Sequence, residues 1–473
     1  MTDYLKKISY SLDFKLFSNS TIRMSKFVHL LEKDNVICLY NASNLKRIFG
    51  NEILKNLFYD LQETKHIDYL ERIKTNTAEA IFNPFILRLI KDKYVLIDNY
   101  TEEDYVNELR MKSLSSIEID NIFIYVTEKC NLSCRYCYVQ QNIEQKKEMD
   151  IETSVSACNY IYDLIKQENI KKLYVVFYGG EPFLNLNIVE NITNTLNTLV
   201  KDRCKIYYRI ITNGCFLTDK NISLIQKLNI IPSISMDGPK DVMLKTRTNA
   251  KEYENILHGI KKLKEHKIKY EISFTISQGN INCLVESIEY IINEIRPFSI
   301  RLNVPEFSGN VQGFLPNEFF EKIGEQMKHV LYLLANSHLE CCNLGYENFK
   351  NQEPSFFPCS GCGRRLAILP DGTMSRCESF VTLKKHILGK LDKHSKICFN
   401  EKEEKIWLRR SGYYIDDCKK CIALGLCAGG CAYNAELYNG DFFAADYTLC
   451  EWAKSLTKEF IFNKFPKIGG ELT

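Results

Sequence analysis

From about residue 120 to about residue 305, short apolar runs alternate with longer amphipathic ones. Strand-like runs rich in Ile, Val, Tyr and Phe fall at 121–127, 173–178, 206–211, 231–236, 270–276 and 298–304. Stretches with helical periodicity separate them at 151–166, 187–200, 218–228, 252–266 and 281–295. Strands alternating with helices predict a parallel sheet, either doubly wound or a partial barrel. Upstream, Phe27–Leu31 and Val36–Tyr40 flank a turn at Lys33-Asp34-Asn35 and predict a hairpin. Asn41 to Asn44 offer helix caps before an amphipathic stretch carrying Leu45, Ile48, Ile53, Leu54 and Leu57. A second helix-like segment and a strand at Tyr94–Ile97 complete a small winged-helix-like unit. Beyond about residue 336 the helical rhythm weakens, cysteines and glycines crowd in, and Asp371-Gly372 signals a turn. At 473 residues the chain exceeds one core, and three domains are expected, at 1–117, 118–335 and 336–473.

Bulk composition adds little to this picture. With 45% hydrophobic and 26% charged residues, the chain reads as ordinary globular protein. Lys plus Arg (62) nearly balance Asp plus Glu (59), so the charge of +3 gives no reason to expect a nucleic-acid partner. The runs Lys261–Lys269 and Glu401–Lys405 read as solvated helix faces. No apolar run reaches the ~18 residues of a membrane span. The first residues lack a signal-peptide layout, so a cytoplasmic location is expected.

Cysteine does change the picture. There are 19, and an odd, tightly clustered set points to metal or cluster ligation. Cys38, Cys158, Cys204, Cys215 and Cys283 stand apart in apolar or helical contexts and read as small core residues. The rest fall in one early motif and in the last third.

The unusual residues sit where strands end. Cys130-x3-Cys134-x2-Cys137 follows the first strand, Gly179-Gly180-Glu181-Pro182 the second, and Thr212-Asn213-Gly214 the third. Ser235-Met236-Asp237-Gly238-Pro239 follows the fourth, and Pro305-Glu306 the sixth. Carboxyl ends of parallel strands form the rim on which α/β enzymes build active sites. Three close thiolates can hold three corners of a cubane and leave one iron open, since full protein ligation takes four cysteines. A structural zinc site is normally closed by four ligands, and no His stands at ligand spacing here.

This triplet, with Tyr136 before its third cysteine, resembles the signature of radical S-adenosylmethionine enzymes. The resemblance implies a [4Fe-4S] cluster on Cys130, Cys134 and Cys137 whose open iron binds the amine and carboxylate of S-adenosylmethionine. One electron then splits the sulfonium, and the 5′-deoxyadenosyl radical abstracts hydrogen from carbon, chemistry carried by the cofactors. Gly179-Gly180-Glu181-Pro182 resembles the strand end that meets the methionine amine in that family, with glycines allowing close approach and Glu181 accepting hydrogen bonds nearby. Thr212, Asn213 and Ser235 resemble its ribose-side residues, and Arg247 would pair with the carboxylate.

Downstream, Cys362, Cys377, Cys418, Cys421, Cys427, Cys431 and Cys450 resemble the seven-cysteine pattern of the SPASM domain. The resemblance implies two auxiliary [4Fe-4S] clusters, three in all. Cys362, Cys377 and Cys431 would serve one, with Cys359, or else Cys341 or Cys342, as fourth ligand, or with an open site. Cys418, Cys421, Cys427 and Cys450 would hold the other. A pair of zinc ribbons is the alternative reading. Glu378 resembles an Asp used as general base in sulfatase-maturing relatives, and a plain surface carboxylate is equally consistent.

The expected class is therefore α/β, a partial (β/α)6 barrel with a winged-helix-like N-terminal domain and a Cys-rich C-terminal iron–sulfur domain. The resemblance implies a maturase of a ribosomally made precursor peptide, whose leader adds to a strand edge of the N-terminal unit, and an electron donor such as ferredoxin or flavodoxin. An oxidative crosslink is expected, a thioether first and a carbon–carbon bond as alternative. Formylglycine formation on a sulfatase is a second enzymatic reading, and an iron–sulfur electron-transfer protein the non-enzymatic one.

Overall fold

A computed structural model describes residues 19–72, 79–137, 139, 146–247, 249–303, 316–339, 341–342, 345–392 and 399–464. The N-terminal region contains β1 (Thr21–Met24), β2 (Val28–Lys33), β3 (Val36–Asn41), β4 (Lys46–Gly50), β5 (Lys65–His66) and β6 (Val95–Ile97). They form two three-stranded sheets, ordered β5-β1-β6 and β2-β3-β4. The hairpin is β2–β3, and Asp34 and Asn35, at φ 51° and 63°, supply the left-handed pair that a tight hairpin turn requires.

The helix expected from Leu45 onward is corrected. Leu45 takes φ 61° and turns the chain back, so that Lys46–Gly50 pairs with β3. The helix Glu52–Asp60 begins only after Asn51, whose side chain caps it. Strand pairing along the free edge of β3 overrides the local helical period, and Ile48 is buried as a strand residue.

The six predicted central strands are β7 (Asn121–Thr127), β8 (Lys172–Gly179), β9 (Lys205–Thr212), β10 (Ile230–Ser235), β11 (Glu271–Thr275) and β12 (Ser299–Asn303). They lie side by side in chain order, every pair parallel. An order without reversal lacks the switch point of a doubly wound sheet. The intervening helices include Ile151–Gln167, Leu186–Val200, Asp219–Lys227 and Ala250–Glu265. The expected helix 281–295 is composite, an α-helix Leu284–Tyr290 that widens into a π-turn at Ile291–Ile295.

The Cys-rich region belongs to the same sheet. Next to β12 lies β13 (Cys341–Cys342). Against β7, on the other side, β14 (Arg365–Ile368) adds a further parallel strand. From there β15 (Thr373–Ser375) and β16 (Ile387–Lys390) continue antiparallel, turning at the predicted Asp371-Gly372. The main core lies between this sheet and its helices, and Cys38, Cys158 and Cys204 are buried as expected, whereas Cys215 and Cys283 are half-buried. The N-terminal unit has a second core around Leu39, Leu57, Leu89 and Tyr94. A third, small core gathers Cys362, Phe380, Trp407, Tyr433 and Phe442. Among the described residues no helix is long and apolar enough to cross a membrane.

A close backbone seam joins the N-terminal unit to the Cys-rich region. Gly425 N donates to Ala42 O at 2.7 Å, and a Cβ on Gly425 would come within 2.5 Å of that oxygen. Beside it, Tyr413 Oη donates to Ser43 O at 2.7 Å. Tyr413→Phe is expected to cost about 1 kcal/mol in chemical denaturation by leaving that carbonyl unpaired. Gly425→Ala is expected to cost more, because backbone must move to admit the methyl group.

Candidate active site

At the C-terminal ends of β7 to β12 the strand-end residues ring a cavity of about 270 Å³, near the lower end of the ~300–1,000 Å³ usual for small-molecule sites. Cys130, Cys134, Tyr136 and Cys137 line one side, with Gly179, Gly180, Thr212, Asn213, Ser235 and Arg247 around the rim. Most of the sequence-predicted site for the first cluster and its ligand is thus brought together. Pro305 and Glu306 lie outside the described residues.

Gly179 and Gly180 line the cavity and also meet the backbone behind it. Gly179 has φ +132°, and a Cβ there would lie 2.0 Å from Thr127 O; one on Gly180 would lie 2.1 Å from Lys129 O. Gly180 N donates to Thr127 O and Glu181 N to Lys129 O, both at 2.8 Å. The glycines therefore let β8 close onto the backbone that leads into Cys130, and only then onto the cavity.

Glu181 is fully buried and does not line the cavity. Its carboxylate accepts from Thr212 Oγ1 at 2.8 Å, Asn213 N at 2.7 Å and Phe183 N at 3.1 Å. It ties the end of β8 to the end of β9, and Pro182 opens the 3-10 turn that follows. Asn213 passes this order on: its Nδ2 donates to Asn131 Oδ1 at 2.8 Å and lies 3.8 Å from Cys130 Sγ. Burial pushes Glu181 up to about 7, against those three bonds.

Arg247 is likewise committed. Its Nε and Nη2 donate to Asp237 at 2.7 and 3.0 Å, and Nη2 also reaches Thr275 Oγ1 at 3.2 Å. Tyr136 Oη donates to the same carboxylate at 2.5 Å, and its ring lies under the guanidinium at 5.1 Å. Fully buried Asp237 thus locks the Cys134–Cys137 loop to β10 and β11. Asp237 stands in a strand-end motif legible in the sequence, yet its bonding role was not.

Sequence reasoning also missed the cavity wall made by Ser273 and Thr275 of β11, Arg301 and Asn303 of β12, and Arg365. The signal was available: polar residues recurring at every second position of β11 and β12 point one polar face inward. Beneath this cavity a second, of about 610 Å³, runs along the same face and shares Phe123, Ile211, Arg301 and Arg365 with it.

Glu378 reaches the cavity, but both its oxygens accept from Arg365 Nη1, at 2.7 and 2.8 Å. It is an ion-pair partner first, and a base only when that contact opens.

The downstream cysteines form two groups. Cys359 is hydrogen-bonded to Cys362, which packs in one cluster with Cys377 and Cys431. Cys341 and Cys342, on β13, lie at the opposite edge of the parallel run from β14. Cys418, Cys421, Cys427 and Cys450 all line one small void. Among the described residues no three Cys, His, Asp or Glu are grouped to grip a single metal ion. Four thiols around a void fit a cubane instead, which takes four cysteines. Buried donors without acceptors beside the first group, such as Trp407 Nε1 and Arg376 Nε, fit an absent sulfur-rich acceptor as well. Burial pushes Cys134 and Cys450 up to about 12 and Cys418 to about 11, so ligating iron as thiolates releases protons.

Glu181 generates a pH prediction. Its carboxyl rises from 4.5 in the free state to about 7 in the fold, so the stability it contributes is full below about 4.5 and is lost as pH rises through about 7. Glu181→Gln is expected to flatten that window in denaturation curves between about pH 5 and 8. It is also expected to cost about 1–3 kcal/mol, since an amide N–H would face Asn213 N–H.

Residues 124–291 match the family model of the Radical SAM superfamily. Over 474 residues the chain is 24% identical to the radical SAM cyclopropyl synthase TigE of Paramaledivibacter caminithermalis, covering 94% of this chain and 97% of that protein. It is 23% identical over 388 residues to a cysteine-type anaerobic sulfatase-maturating enzyme of Clostridium novyi, covering 74% and 96%. The solved structure of anSMEcpe with bound AdoMet superposes with a TM-score of 0.62 at 19% identity, covering 72% and 93%. Streptococcus suis SuiB bound to precursor peptide SuiA does so with a TM-score of 0.52 at 14% identity, covering 91% and 99%; both likenesses speak to the fold. With the family match lying on the strands that carry the Cys130–Cys137 loop, residues 124–291 form a Radical SAM domain and the chain is an enzyme.

Proposed function

We propose that this enzyme matures a ribosomally made peptide by removing two hydrogens and forming a new bond at carbon. The observation that carries the reading is the double hollow along the inner face of the sheet. The upper cavity, with Cys130, Cys134 and Cys137, is sized for a cofactor, and the larger one continues it past Arg301 and Arg365. Asn121, Lys172 and Glu271 line its far part at the amino ends of the strands, so a peptide side chain would approach the cofactor cavity from below.

Cys130, Cys134 and Cys137 would hold the cluster, with the Asp237 and Asn213 networks keeping their loop in place. When bound, that cluster and S-adenosylmethionine supply a 5′-deoxyadenosyl radical that takes one hydrogen atom from the peptide. Cys359, Cys362, Cys377 and Cys431, and Cys418, Cys421, Cys427 and Cys450, would hold two further [4Fe-4S] clusters, whose chemistry is to accept the second electron. Glu378, once released from Arg365, is the carboxylate best placed to take the proton. Residues 1–117 would form the winged-helix-like peptide recognition element, 118–335 the partial (β/α)6 barrel and 336–473 the SPASM domain. The separate core of the N-terminal unit and its β2 edge support leader binding by strand addition.

The full-length similarity to a cyclopropyl synthase favours a carbon–carbon bond over the thioether expected from sequence. Formylglycine formation is less favoured, because the sulfatase-maturating relative aligns with only 74% of the chain. The test is anaerobic incubation with S-adenosylmethionine, a reductant and a candidate precursor peptide. Loss of two hydrogens without loss of alkylatable thiol supports carbon–carbon closure, and loss with consumption of a thiol supports the thioether. Cofactor turnover that leaves every such peptide at its original mass refutes the proposal.

A further inference from the structure

A buried cation needs a counter-charge, and Arg410 pairs with no carboxylate among the described residues. It is 1% exposed. Its Nη1 donates to the carbonyls of Phe442 and Ala444, and its Nη2 to those of Gly429 and Gly430. All four acceptors are neutral backbone groups, and Nε is buried with no acceptor. The nearby buried carboxylate, Asp446, accepts from Cys431 N, Asn434 and Thr448 instead. A guanidinium left this way is costly, and a fold that keeps one has something anionic to set against it.

Its location supplies the anion. Gly429 and Gly430 belong to the short link between Cys427 of one cysteine group and Cys431 of the other. Gly429 itself lines the void ringed by Cys418, Cys421, Cys427 and Cys450. On the other side, the guanidinium lies 5.7 Å from the ring of Phe442, which packs in one cluster with Cys362, Cys377 and Cys431. Arg410 therefore stands in the wall between the two groups.

On the reading that these groups hold two auxiliary clusters, we infer that Arg410 is their shared counter-ion, a positioning residue whose positive charge raises both reduction potentials together. A cubane on four thiolates carries net negative charge, and net charge and hydrogen bonds to sulfur are what set its potential. The cluster on Cys130, Cys134 and Cys137 lies outside this contact and is left untouched.

The experiment compares wild type, Arg410→Gln and Arg410→Lys by iron analysis and by redox titration followed with electron paramagnetic resonance. S-adenosylmethionine perturbs one signal and so marks the first cluster. About twelve irons per wild-type chain are required by the three-cluster reading; about four would remove that reading and the inference with it. With the auxiliary sites loaded, Arg410→Gln is expected to shift both auxiliary midpoints to more negative potential and leave the marked signal in place, while Arg410→Lys stays near wild type. Unmoved auxiliary midpoints in loaded Arg410→Gln, or an equal shift of the marked cluster, overturn the inference alone. If Arg410→Gln cannot hold auxiliary iron, Arg410→Lys decides: iron retained at both sites supports a requirement for charge, and iron lost from both overturns it.

Discussion

The rim depends on how closely the end of β8 approaches the backbone before Cys130. Two carbonyls, Thr127 O and Lys129 O, occupy the space where side chains at 179 and 180 would begin. Only glycine at both positions lets the two strand ends meet. Glu181 then converts contact into order, because one buried carboxylate holds Thr212 Oγ1, Asn213 N and Phe183 N at once. Asn213 extends that order to Asn131 and the first cysteine. The loop that carries Cys130 is thus built against two neighbouring strands before any ligand arrives.

A second fixed point lies on the far side of the same loop. Asp237 gathers Tyr136, Arg247 and the backbone of Thr275, so a single charge orients three elements. Its desolvation is offset by the guanidinium and the phenol together, as buried charges require. Across the cavity, β14 brings Arg365 and Glu378 into the wall by pairing with β7. The segment that holds Cys359 and Cys362 runs directly into that strand. The rim cavity and the Cys359–Cys362 segment therefore share one sheet, with Arg365 between them.

Much of this was legible in the sequence, and the reason is periodicity. Six β-branched and aromatic runs separated by amphipathic stretches fix the parallel strands to within a residue or two, and their motifs fall on one rim. Downstream, Cys362 packs with Cys377 and Cys431, and Cys418, Cys421, Cys427 and Cys450 line one void. What failed was everything set by tertiary pairing. Residues 46–50 look helical alone, but the open edge of β3 takes them as a strand. No local pattern announces that β14 will join β7. The bonds of Glu181 to Thr212 and Asn213, and of Arg247 to Asp237 and Thr275, join separate strand ends, and no local pattern announces them. Inward polar residues of β11 and β12 were visible as alternation, but which face would be hollow depends on the assembled sheet.

The Cys130, Cys134 and Cys137 loop is expected to support reductive cleavage of S-adenosylmethionine. Its most direct test is 5′-deoxyadenosine, quantified by chromatography after anaerobic reconstitution and chemical reduction. Wild type is expected to release it, and the variant carrying Cys130→Ala, Cys134→Ala and Cys137→Ala is expected not to, while retaining iron at the downstream cysteines. Equal release by both proteins, or none from fully loaded wild type, would contradict it.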